Sequence, residues 1–118
     1  MIMSKYELQI SEPWDFEHPA GSNVFSAFGV GVIPGPDKPN YGKEFFLLNV
    51  EEPFEMEGEL VKQLICAPRY EGDTMQMVTS SKCIVGIARV KPQFQLGISS
   101  SVNSEEFVYC AIGSIKVT

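Results

Sequence analysis

The sequence predicts an α+β domain: a mainly antiparallel sheet of six or seven strands with one or two helices packed on one face. Three observations carry that expectation. Apolar residues alternate with polar ones over short runs, turn-forming residues cluster between those runs, and one stretch has the apolar spacing of a helix. An all-β barrel is the alternative reading of the same pattern. At 118 residues the chain has the size of one domain, and no linker or internal repeat divides it. Residues 1–118 are therefore expected to form a single unit around one core.

Tyr6, Leu8 and Ile10 alternate with Glu7 and Gln9, the period-2 pattern of a half-buried strand. Ser11-Glu12-Pro13 ends it, and the following stretch from Trp14 to Pro19 is bracketed by prolines, which suits an ordered loop or edge segment. Val24 to Ile33 is rich in β-branched and aromatic residues and runs into Pro34-Gly35-Pro36-Asp37-Lys38-Pro39-Asn40. Lys43 to Val50 follows as a second apolar run, so a β-hairpin with a long loop over about residues 34–42 is expected. Gly29 and Gly31 in the first of these strands suggest a bulge, or something packed closely over it.

Leu60, Val61, Leu64 and Ile65 repeat at the spacing of a short amphipathic helix, which Pro68 would stop. Met75, Met77 and Thr79 read as a strand paired with Cys83 to Val90, and Phe94, Leu96 and Ile98 alternate as another. For residues 105–118 two readings compete. Ser104-Glu105-Glu106 resembles a helix start, whereas the β-branched and aromatic run that follows favours a strand, or two short strands broken at Gly113.

Fifteen acidic residues face nine basic ones, a net charge of −6, and no two basic residues are adjacent. That balance argues against direct nucleic-acid binding, which needs a cationic face to displace counterions, and against an anionic membrane. It suits solubility, or a basic protein partner. No run approaches the roughly 20 apolar residues of a membrane-spanning helix, and Met1 to Ile10 lacks the shape of a secretory signal. Cys66, Cys83 and Cys110 are an odd, widely spaced set among apolar neighbours, as buried free thiols are. A reducing, cytoplasmic setting follows as the expectation.

Catalytic signatures are missing from the sequence. His18 is the single histidine, and no Gly-x-Ser-x-Gly elbow surrounds a serine. The cysteines have no Cys-x-x-Cys pair, and Glu71-Gly72-Asp73 is too short for a calcium loop, so no metal is expected. The glycines make no phosphate cradle. Neither a cofactor nor an enzymatic activity is expected.

One segment stands apart. Glu51-Glu52-Pro53-Phe54-Glu55-Met56-Glu57-Gly58-Glu59 places five glutamates in nine residues, interleaved with Phe54 and Met56. Apolar residues among like charges give a partner burial at the centre and ion pairs at the rim. The plain alternative is a solvated connection that also sets negative charge at a helix N-terminus. Asp15 and Glu17 beside Trp14 form a second acidic group; Glu71 with Asp73, next to Tyr70, and Glu105 with Glu106 are others.

The stretch from Asn23 to Cys66 carries a resemblance: a strand over 24–33, a Gly/Pro/Asn loop, a strand over 43–50, Glu-Glu-Pro-Phe, and a short helix over 60–66. It resembles small acidic immunity proteins of bacterial contact-dependent inhibition and polymorphic toxin systems, over less than half the chain. The resemblance implies a protein that binds the C-terminal domain of one cognate toxin, often a nuclease acting on tRNA or DNA, and blocks its active site or its access to substrate. Glu51, Glu52, Glu55, Glu57 and Glu59 would be the charged surface and Phe54 and Trp14 the anchors, with Asp15 and Glu17 beside them. The alternative is a structural or assembly subunit that oligomerises through an exposed edge strand, for instance over 93–98. The sequence leaves the oligomeric state open.

Overall fold

Strands that bury one face must find cover for it, and here the sheet covers itself by closing. The computed structural model describes residues 4–13, 24–36, 44–56, 58–70 and 72–118. Its strands are β1 (Lys5–Pro13), β2 (Val24–Pro34), β3 (Glu44–Met56), β4 (Glu59–Pro68), β5 (Lys82–Val90) and β6 (Phe107–Val117), with one helix, α1 (Met75–Ser80). Each strand pairs antiparallel with the next, and β1 pairs with β6 to close the barrel. The expected antiparallel architecture holds, with six strands and one short helix among the described residues. The expected packing of helices on one face of the sheet gives way to closure, which is the barrel of the alternative reading.

The barrel has an inner and an outer apolar layer. Tyr6, Leu8, Phe46, Leu48, Leu64, Cys66, Val85 and Ile115 fill the interior. Phe45, Leu47, Ile65, Ala88 and Phe107 point the other way, into a second cluster completed by Leu96 and Val102 from the β5–β6 connection. That connection crosses the outside of the wall as a strap, and Val102 N–H donates to the Pro34 carbonyl at 3.1 Å.

This second layer explains why the helix expected over 60–66 is strand instead. Leu64 and Cys66 face inward and Ile65 outward, so β4 is apolar on both faces. An irregular register between Asn49 and Phe54 of the paired strand brings Val61 inward as well. Consecutive apolar residues on a doubly covered strand mimic a helical stripe.

Residues 75–79, expected as strand, form α1. Thr74 caps it, its Oγ1 accepting from Met77 N–H at 3.3 Å. Val78 is buried in the barrel core with Met75 and Met77 packed beside it, so α1 plugs one end. The Tyr6 hydroxyl donates to the Thr79 carbonyl at 2.5 Å.

Residues 93–98, also expected as strand, are irregular. Leu96 is held by a side chain in place of a ladder: Gln63 Nε2 donates to the Leu96 carbonyl, and Leu96 N–H donates to Gln63 Oε1, both at 2.9 Å. The same Nε2 donates to Asn49 Oδ1 at 2.9 Å, so this buried amide spends its hydrogen-bonding capacity within the protein.

The β2–β3 hairpin forms as expected, with a register shift between Gly29 and Gly31. Both glycines also admit close neighbours. A Cβ at Gly29 would lie 2.8 Å from the rings of Phe46 and Tyr6, and one at Gly31 would collide with Ile98 of the strap. The tail is a single strand, β6, which runs through Gly113 without a break. All three cysteines are buried and free, as expected.

Candidate protein-docking site

At the end of the barrel opposite α1, two strands outrun their neighbours. The last β2–β3 rung is Ala27 with Val50, yet β3 continues to Met56 and pairs with β4 through Phe54–Val61, Glu55–Leu60 and Met56–Glu59. The result is a two-stranded acidic arm. Pro53, which cannot donate to a ladder, lies in its irregular stretch. Gly58 reverses the chain with φ +81°, a backbone conformation that glycine adopts without a steric penalty.

The arm has two faces. Phe54 turns inward, edge-on to Phe25 with ring centroids 5.6 Å apart, and packs on the barrel core. Glu59 is also held: its Oε1 lies 2.8 Å from Arg89 Nη1, a guanidinium whose side chain is only 5% exposed. On the other face Glu55 and Leu60 stand directly opposite one another, and Leu60 is 43% exposed.

The sequence-expected glutamates are therefore not equivalent. Glu51 sits on the barrel flank with Lys5 at 3.2 Å, and Glu59 is engaged by Arg89. Glu52 and Glu55 are exposed. Glu105, where β6 begins, is exposed at the same end, and Glu106 Oε1 accepts from Asn103 N–H at 2.7 Å. Glu57, Trp14, Asp15, Glu17 and His18 lie outside the described residues, as does Glu71. Leu60 and Arg89 were not legible as site residues: Leu60 belonged to an expected helix, and Arg89 meets Glu59 from 30 residues away.

The strand order sorts the charge. Among the described residues, the arm end carries Glu52, Glu55, Glu59, Glu105 and Glu106 against Lys62, Arg89 and Lys91. The α1 end carries Arg69, Lys82 and Lys116 against Glu7, Glu44 and Asp73, with Glu7 paired to Lys116, while the Lys5–Glu51 pair lies on the flank between the two ends. One end of the barrel is acidic and the other balanced in charge.

The described residues offer little for chemistry. They contain no group of three His, Cys, Asp or Glu side chains placed to hold a metal ion. No helix is long and apolar enough to cross a membrane. Burial pushes the Cys66 thiol far up, with further contributions from Cys110 and Cys83. Burial, then the Asp73 carboxylate 3.9 Å away, raises Cys83. Tyr6 is raised by burial as well. The raised Cys66 and Cys83 thiols stay protonated at neutral pH, the form that is the weaker nucleophile.

Their shifts set an alkaline limit. A thiol that stays protonated in the fold but ionises near pH 9.0 when unfolded leaves the unfolded state with fewer protons above that pH. Stability is then fully present below about pH 9 and falls as pH rises. Each such group adds a slope of about 1.4 kcal/mol per pH unit. Urea titrations at rising pH should show the decline, and Cys66→Ala should make it shallower by about that amount per unit. An unchanged slope in the variant would contradict the assignment.

Compared with family models, curated proteins and solved structures, the chain finds no match.

Proposed function

We propose that this chain is a non-catalytic binding protein, an immunity protein that docks the C-terminal domain of a cognate toxin on the acidic end of its barrel. The observation that carries the reading is the outer face of the arm, where exposed Leu60 stands opposite Glu55, with Glu52 close by in the chain. An exposed apolar residue beside a carboxylate matches the anatomy of an interface with a basic partner. Nucleases present basic surfaces to hold phosphate, so the toxin best matched to this end is a nuclease acting on tRNA or DNA. An inhibitor whose negative charge is gathered at one end would meet such a partner in a steered orientation. Three buried free thiols suit a reducing cytoplasm, where a producing cell needs the protection.

The alternative of a self-assembling structural subunit has less to rest on. β1 and β6 pair with each other, and residues 93–98 are not a strand.

The test is calorimetry against the toxin C-terminal domain encoded next to this chain's gene. The reading predicts one-to-one binding with Kd on the order of nanomolar, the usual strength of a specific inhibitor complex. No toxin domain there, or no binding to it at micromolar concentration, would overturn it.

A further inference from the structure

We infer that Arg89 is the positioning residue of the docking arm: from inside the barrel it fixes Glu59, and through Glu59 the angle at which the arm leaves the wall. The inference rests on the docking reading above and names what pre-organises that surface.

Arg89 is an unusual occupant of its place. On β5 it stands opposite Leu64 of β4 and Val108 of β6, and Leu64 belongs to the barrel core. A buried charge carries a desolvation cost that apolar residues at the same position would not. That cost is compatible with a device that specifies one arrangement of neighbouring parts. Arginine suits the task because its guanidinium stays charged on burial and holds a carboxylate in fixed geometry.

The arm needs such a tie. Described β4–β5 rungs run only from Leu64–Arg89 to Pro68–Val85, so residues 59–63 lie beyond the ladder. Side chains bridge the gap: Gln63 to Asn49 and Leu96 at the root, Phe54 to Phe25 along the inner face, and Glu59 to Arg89 next to the turn. Glu59 follows Gly58 directly, so a contact there restrains the tip, where displacement would be largest. Holding the arm before the partner arrives removes part of the ordering cost of binding.

Hydrogen exchange on the full chain, without partner, reads the positioning by itself. In Arg89→Met, amides over residues 54–61 should exchange about tenfold faster, while Leu47, Leu48 and Ile65 keep their protection. Glu59→Gln, a change at a side chain 40% exposed, should loosen the same amides. The double variant should be no looser than the more affected single, because each single already breaks the Glu59–Arg89 pair. Affinity for the adjacent toxin domain should fall about tenfold in each single variant with the same non-additivity. Additive effects, uniform loosening of the barrel, or an unchanged arm in Glu59→Gln would overturn the inference; the last decides the matter even if Arg89→Met does not fold. An arm that loosens while affinity holds would instead overturn the docking reading and leave the tie as structure alone.

Discussion

Gly113→Val is expected to leave the chain unfolded under conditions in which the parent is native. Gly113 lies on β6 where that strand meets β1, opposite Ile10, and it pairs with Val85 on its other side. A Cβ there would collide with the Gln9 carbonyl oxygen and come within 3.1 Å of its carbon and 3.2 Å of Ile10 Cα. These are backbone atoms, and no rotamer change relieves them. The β1–β6 seam is the one that closes the barrel, so the strain falls where the two ends of the chain meet. Overpacking in a core costs about 1–3 kcal/mol when side chains can yield. Against rigid backbone, alanine should cost about 3 kcal/mol and valine more, out of a total of about 5–15 kcal/mol. Gly97→Ala is the control, since nothing lies within 4 Å of a Cβ at that site. Urea titration followed by circular dichroism separates the cases. A Gly113→Ala midpoint equal to that of the parent would contradict the close approach.

The largest functional effect is expected from the outer face of the arm. Glu52→Lys with Glu55→Lys reverses two exposed charges and removes no contact from the core. Stability should stay within about 0.5 kcal/mol, as for most surface changes. Association with the toxin domain should slow by about 10–100-fold at low salt, because steering depends on the sign of the local field. Adding Leu60→Ala should raise the dissociation rate, by about 2 kcal/mol if Leu60 is the apolar centre of the interface. Arg69→Glu with Lys82→Glu at the opposite end should change affinity by less than about threefold. Stopped-flow kinetics on both pairs gives the comparison. Equal slowing from both ends would mean that net charge, not the arm, controls the encounter.

What the sequence made legible follows from the range of the interactions involved. The β2–β3 hairpin, β1 and β5 were readable because alternation and turn chemistry act within about ten residues. The bulge at Gly29 and Gly31 was readable for the same reason. Gly113 was legible as a special position but not for what it does: it marks a near-contact with Gln9, more than a hundred residues away in sequence, and not a strand break. Barrel closure was hidden because no local pattern records that β1 and β6 meet. The segments over 60–66 and 75–79 exchanged identities, since apolar spacing over so few residues cannot separate a strand covered on both faces from a helix. The acidic segment was visible in composition, but its division into an inner and an outer face was set by Phe25, Arg89 and Lys5, all distant in sequence.

A hydrogen-exchange footprint of the chain with and without the toxin domain locates the docked surface. Docking at the acidic end should give new protection over residues 52–61 and around residues 104–108, with α1 and the adjoining residues 69–82 unchanged. Protection confined to the α1 end or to the strap over 91–102, with the arm unaffected, would contradict it.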